Sequence, residues 1–220
     1  MKKKKLLLLL FILLLLHCSK SKDNEIADLQ KGLKAWFKLD GGFTDSAGNA
    51  IAIDHSGSVS AVADRKGNKG SAMSFDDGYF WFDFPESFAG FPISISLWIK
   101  PKDLKKQAYL LQAGTHAFGI HQIDNRIGFT VSTPVTDGFT SAFTAQWSHI
   151  TGTFDGNSVK LYINGKLIGE EINPGIPDAT MQVKIGSLPD DPTKWEGALD
   201  EIRFYNRLLS SEEIKMLAEQ

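Results

Sequence analysis

Apolar and polar positions alternate along most of the chain with a period of two. Ile93, Ile95, Leu97 and Ile99 alternate with Ser94, Ser96, Trp98 and Lys100, and Pro101 closes the run. Successive side chains of a strand point to opposite faces, so this pattern predicts a half-buried strand with one apolar face. Val159, Leu161 and Ile163 repeat it, interleaved with Lys160 and Tyr162; Asn164-Gly165 follows, and Lys166-Leu167-Ile168 resumes the run. Both turn residues accept a positive φ, so a two-residue hairpin is predicted there. A second hairpin is predicted at Asp124-Asn125, between Phe118-Gly119-Ile120 and Ile127-Gly128-Phe129-Thr130-Val131. Further strands are predicted over 35–39, 72–75, 80–84, 148–154, 182–185 and 199–205. The one helix predicted lies at the end, where Ser210-Ser211-Glu212-Glu213 forms a capping box and Ile214 and Leu217 follow at helical spacing. Ten or more short strands without strand–helix–strand alternation predict an all-β fold, two antiparallel sheets packed as a sandwich with a short C-terminal helix.

The N-terminus breaks this pattern. Residues 2–5 are lysines and residues 6–16 form an apolar run of 11. A bilayer span needs roughly 20 residues, so the run reads as the apolar part of a signal peptide over 1–17. Cys18, the only cysteine, follows directly. Leu15-Leu16-His17-Cys18 resembles a bacterial lipoprotein signal, with His17 where a small residue is usual. The resemblance implies cleavage before Cys18, lipidation of its thiol, and residence in the bacterial cell envelope, lipid-anchored outside the cytoplasm. A secreted chain with an incidental cysteine, or an uncleaved anchor, is the alternative reading. Residues 18–31 are polar and charged and read as a tether; residues 32–220 read as one domain.

Composition narrows the function classes. The 220 residues carry 24 Lys+Arg against 26 Asp+Glu, and removing residues 1–17 leaves a net −6. A nucleic-acid binder needs a basic excess, so no nucleic-acid partner is expected. A single cysteine forms no disulfide within the chain. The histidines lack a zinc spacing, and neither a nucleophile-elbow Gly-x-Ser-x-Gly nor a phosphate-cradling loop is present.

Several motifs together resemble a laminin-G-like domain. They are Gly32-Leu33-Lys34-Ala35-Trp36-Phe37-Lys38-Leu39-Asp40 with Thr44-Asp45-Ser46-Ala47-Gly48-Asn49, then Gly70-Ser71-Ala72-Met73-Ser74-Phe75-Asp76-Asp77-Gly78 and Ile95-Ser96-Leu97-Trp98-Ile99-Lys100-Pro101. Trp147-Ser148-His149-Ile150, Thr153-Phe154-Asp155-Gly156, Leu161-Tyr162-Ile163-Asn164-Gly165 and the stretch from Gly197 to Arg207 continue in the family's order. The resemblance implies a concanavalin A-like jelly roll, a fold that carries lectins, glucanases and adhesion modules alike.

Three kinds of site are expected from these residues. The Gly-rich loop 40–49 offers carboxylate and carbonyl oxygens of the kind a structural calcium takes. Asp45 is the main candidate in that loop, with Asp40 beside it. By resemblance to related jelly rolls, the distal ligand is Asp200. The alternative is that Asp40, Asp45 and Asn49 bond their own backbone and that Asp200 pairs with a Lys or Arg. For a glycan, Trp81 and Trp195 fall outside the family motifs and are candidate aromatic platforms, unless both cover the core edge. For glycoside hydrolysis, a pair of carboxylates roughly 5–5.5 Å apart is required. Asp200-Glu201 and Glu170-Glu171 are adjacent in sequence, which on a regular strand puts the partners on opposite faces. The expectation is therefore a non-enzymatic, membrane-tethered module that recognises glycans or a glycosylated surface. A protein-binding adhesion or envelope-structural role is the alternative, and a glycoside hydrolase is the third reading.

Overall fold

The computed structural model describes residues 29–84, 92–114, 118–131, 141–142, 144–172, 182–186 and 194–220. The signal, Cys18 and most of the tether lie outside the described residues. Contacts divide the chain after Gly32, and Leu33–Gln220 form one unit. Among the described residues no helix is long and apolar enough to cross a membrane.

The strands in chain order are β1 (Leu33–Phe37), β2 (Asp54–Ser56), β3 (Val59–Val62), β4 (Ala72–Asp76), β5 (Tyr79–Asp83), β6 (Ile93–Pro101), β7 (Gln107–Ala113) and β8 (Phe118–Ile123). They continue as β9 (Arg126–Val131), β10 (Ser141–Ala142), β11 (Ser148–Phe154), β12 (Ser158–Ile163), β13 (Lys166–Ile172), β14 (Gln182–Ile185) and β15 (Glu196–Tyr205). The helix α1 spans Ser211–Glu219. One sheet has eight strands in the order β13-β12-β11-β6-β15-β4-β3, with β1 also on β15; the other has seven, β10-β9-β8-β7-β14-β5-β2. Neighbouring strands run antiparallel throughout. The predicted all-β jelly-roll sandwich with its C-terminal helix is the observed fold.

The alternation sets the faces. Ile93, Ile95, Leu97 and Ile99 of β6 are at most 2% exposed and point inward. From the facing sheet, β5 sends Phe80 and Phe82 into the same layer, where Phe37 meets Phe82 at 4.9 Å between ring centroids and Phe204 meets Phe82 at 5.6 Å. Such offset and edge-on contacts suit the quadrupoles of aromatic rings. The layer is tightly packed where β11 carries Gly152: a Cβ there would lie 2.5 Å from the Phe129 ring of β9. Gly152→Ala is therefore expected to cost about 1–3 kcal/mol by overpacking, read as a lower urea midpoint. An unchanged midpoint would show that the two sheets have slack at this point.

Both predicted hairpins form, with Asn164 (φ 50°) and Gly165 (φ 77°) joining β12 to β13 and Asp124 (φ 53°) lying between β8 and β9. The capping box also forms: Ser210 Oγ accepts from the Glu213 amide, and Glu213 Oε2 accepts from the Ser210 amide. Ahead of α1, Ser94 Oγ donates to the Arg207 carbonyl at 2.8 Å and accepts from the Leu209 amide at 3.0 Å. The segment after β15 thus crosses the outer face of β6, which is why Ser94 is buried although it points away from the core.

Candidate functional site

The two candidate tryptophans separate cleanly. Trp195 is fully buried, and its Nε1 donates to Gln122 Oε1 at 3.0 Å. It belongs to the core cluster and offers no face to a ligand, which corrects the expectation of an exposed platform. The ring lies where Gly197 leaves room, since a Cβ at Gly197 would stand 2.7 Å from it. Trp81 is half-buried on β5, and because its neighbours Phe80 and Phe82 fill the core, its ring faces outward. Tyr79, two residues before it on the same face, stacks on it at 5.3 Å with an interplanar angle of 30°.

Strand pairing extends this pair into a surface. Trp81 lies opposite Asp54 on one side and Lys184 on the other. Lys184 lies opposite Gln112, Gln112 opposite Gly119, and Gly119 opposite Thr130. Trp81, Lys184 and Gln112 alternate with core residues, so with Asp54 they form a row on the outer face of the seven-stranded sheet, which continues into the buried positions Gly119 and Thr130. Strands lie about 4.8 Å apart, so Trp81 and Gln112 are separated by about 10 Å, close to the length of a disaccharide. Along β7 and β8 a bulge resets the register, and Tyr109 pairs with His121 with ring centroids 6.0 Å apart. Gly119 lets the Tyr109 ring lie close over the strand, at 3.5 Å from where a Cβ would be. Among the described residues, the Lys184 side chain makes no ion pair or hydrogen bond.

Two of the three carboxylates expected to hold calcium, Asp45 and Asp200, are spent elsewhere. Asp45 Oδ1 accepts from the amides of Trp36 (3.0 Å) and Ala47 (2.9 Å), and its Oδ2 accepts from Asn49 (3.0 Å). Asp45 closes its own loop onto β1, the behaviour of a turn residue. Asp200, on β15, is 2% exposed, and its Oδ2 accepts from Arg65 Nη1 at 2.5 Å. Burial pushes the Asp200 carboxyl up to about 7, against the pull of that guanidinium. Asp40 is exposed at the turn after Leu39. Among the described residues no three His, Cys, Asp or Glu side chains group to hold a metal ion. Asp45 and Asp200 do not fit the ion that the resemblance implied, because Asp45 already faces three amides and Asp200 a guanidinium, and Asp40 alone offers too few oxygens.

Asp200 and Glu201 also correct the expectation of opposite faces. The register of β15 against β6 shifts between Asp200 and Arg203, and Glu201 has φ 55°. This bulge turns both acids to the outer face of the eight-stranded sheet, where the charge of Glu201 acts on Asp200. Both are occupied there. Glu201 Oε2 accepts from Trp36 Nε1 at 2.6 Å and pairs with Arg203 Nη2 at 2.6 Å. The two arginines stack on tryptophans, Arg65 over Trp98 at 4.7 Å and Arg203 over Trp36 at 4.6 Å. His149 lies beside them, fully buried, with Nε2 at 2.8 Å from Ser96 Oγ. Burial first, then the charges of Arg203 and Arg65, pull its pKa down to about 3. This histidine stays neutral and structural at neutral pH. The other adjacent pair, Glu170-Glu171, is engaged as well: Glu170 accepts from Ser158 Oγ at 2.7 Å.

The architecture is that of a jelly-roll domain with an aromatic strip on its outer sheet face. Residues 76–215, well over half the chain, match the model of the concanavalin A-like lectin/glucanases superfamily, and the chain belongs to that superfamily. Similar solved structures include one of botulinum neurotoxin type C, whose cell entry is dependent upon interaction with two ganglioside molecules (TM-score 0.72, 16% identity, 88% of this chain and 52% of that one). The binding domain of Paraclostridial Mosquitocidal Protein 1 is similar too (TM-score 0.71, 19% identity, 86% of this chain and 52% of that one). So is the binding domain of botulinum neurotoxin DC in complex with rat synaptotagmin II (TM-score 0.70, 14% identity, 86% and 51%). The chain spans about half the length of these structures, and at such identities the likeness is one of fold. No curated protein matches the chain.

Proposed function

We propose that this protein is a non-enzymatic binding module that recognises glycans on the outer face of its seven-stranded sheet and is held at the bacterial cell envelope by lipidation of Cys18. The observation that carries the reading is the outward Tyr79–Trp81 stack, flanked in one cross-strand row by Asp54, Lys184 and Gln112. A sugar ring lays its C–H face on an indole while its hydroxyls need both donors and acceptors at the rim. Lys184 supplies donors and Asp54 acceptors, with Gln112 next to Lys184 in the row. The ganglioside dependence of the type C toxin supports a glycan partner by analogy of fold. A non-catalytic role is supported by the acid pairs, since Asp200, Glu201 and Glu170 are each held by partners within the domain.

The test is a glycan array probed with the wild-type protein and with Trp81→Ala. The expected outcome is binding to a restricted set of glycans that weakens about 10- to 100-fold in the variant, with the melting curve retained, a loss of about 1.4–2.8 kcal/mol. Equal binding by both proteins would remove Trp81 from the site. A protein partner is the second reading, and one observation favours it. The sheet-edge strand β13 exposes Leu167 (52%), Ile168 (38%) and Ile172 (54%). Silence on the array, with capture of a surface protein that is lost in Leu167→Lys, would favour that reading.

A further inference from the structure

We infer that Arg65 does in this domain the work the resemblance assigns to a calcium ion, tying a loop of the eight-stranded sheet to the last strand, so that the fold stands without metal. The loop between β3 and β4 is built to present this side chain. Asp64 Oδ1 accepts from the amides of Lys66 (2.9 Å) and Asn68 (2.8 Å), and its Oδ2 accepts from Asn68 Nδ2 (2.9 Å). The Asp64 amide donates in turn to the Asn68 carbonyl at 3.1 Å, and the Gly70 amide to the Val62 carbonyl at 3.0 Å. The loop is thereby closed on itself and leaves Arg65 to reach across the sheet.

Arg65 ends between two partners that strand pairing sets side by side, because Asp200 of β15 lies directly opposite Trp98 of β6. The guanidinium sits 4.7 Å from the centre of the Trp98 ring and 2.5 Å from Asp200 Oδ2. The side chains of Arg65 and Asp200 are only 10% and 3% exposed. A planar, permanently charged guanidinium suits such a place, since one face stacks on the ring while an edge meets the carboxylate. Calcium would need six to eight oxygens. Here Asp200 faces a cation that is already in position, Asp45 spends both oxygens on three amides, Asp64 closes its own loop, and Asp40 stays exposed. A divalent ion brought to Asp200 would also meet the like charge of Arg65.

The test uses the full chain at pH 8. The melting temperature should be the same in EDTA and in millimolar calcium. Arg65→Met should lower it by about 10 °C, because Asp200 is left buried and unpaired. Arg65→Met combined with Asp200→Leu should recover most of that loss, because no unpaired charge remains. If the single variant does not fold, the double variant and the calcium titration of the wild type still decide. A rise of several degrees with calcium, an Arg65→Met protein that melts like the wild type, or a double variant no more stable than the single one would each overturn the inference.

Discussion

Trp195→Ala is expected to destabilise the protein by about 3–5 kcal/mol, the usual cost of emptying a large buried aromatic site. Two terms add in that loss. The ring is fully buried in the core, so its removal leaves a cavity that the surrounding strands fill poorly. Its Nε1 is also a partner of the buried Gln122, whose own Nε2 donates to the Asp103 carbonyl at 2.7 Å. Trp195→Phe separates the two terms: most of the volume returns, while Gln122 Oε1 stays without its donor, a cost of about 1–3 kcal/mol. Urea denaturation reads both variants. A Trp195→Ala midpoint equal to wild type would mean that the ring lies outside the core and that the sheet packing described above is wrong in this region.

The second large effect is on acid stability. His149 titrates near 6.5 in the unfolded chain, whereas burial holds it near 3 in the fold. Between those values the unfolded state takes up a proton that the native state refuses, so stability falls as pH is lowered from 6.5 towards 3. The slope is about 1.4 kcal/mol per pH unit, which accumulates to the order of 4–5 kcal/mol across the window. Above pH 6.5 the histidine contributes no pH dependence. Asp200 acts in the opposite sense: its raised pKa means that the native state holds the extra proton between about 4 and 7. The wild-type curve therefore contains both contributions, and comparison with His149→Gln isolates the histidine. Glutamine keeps an amide that can bond Ser96 Oγ and does not titrate. The difference in unfolding free energy between the two proteins should narrow steadily from pH 7 to pH 3 as the wild type loses its advantage. A constant difference would show that His149 takes up its proton as readily in the fold as out of it.

The layers of this fold were legible because most strands alternate apolar and polar residues, even where both faces are buried. β6 and β12 read directly from their alternation, and Asn164-Gly165 and the Ser210–Glu213 box marked a turn and a helix start with residues whose chemistry is local. β2, β3, β7 and β10 were not legible. Asp54, His55 and Ser56 of β2 are all exposed, so they carry no apolar signal, and β10 is two residues long. β7 is broken by the bulge between Tyr109 and Leu111, which places two apolar residues in succession and hides the period. The same kind of irregularity undid the face assignment of Asp200 and Glu201: a bulge is fixed by both strands of a pair, and β15 alone does not reveal it.

For the site, Trp81 was readable because Phe80 and Phe82 on either side demanded the core. Trp195 was misread because a polar run precedes it, and only Gly197 hinted that a large ring needed space there. Arg65 was beyond reach, since its partner is 135 positions away and nothing near either residue names the other. The Asp54–Lys184–Gln112 row is likewise a product of register across four strands. Aromatic pairs along one strand can be read locally, while the polar rim that would orient a ligand around them cannot.

The most direct measurement follows the indole N–H signals of the five tryptophans by NMR as the tightest array glycan is added. Each signal is assigned by its single Trp→Phe variant. The Trp81 signal is expected to move, while those of Trp36, Trp98 and Trp195, which lie under arginines or in the core, stay in place. A titration in which Trp81 is silent and Trp36 or Trp98 responds would contradict that expectation and move the site to the opposite sheet.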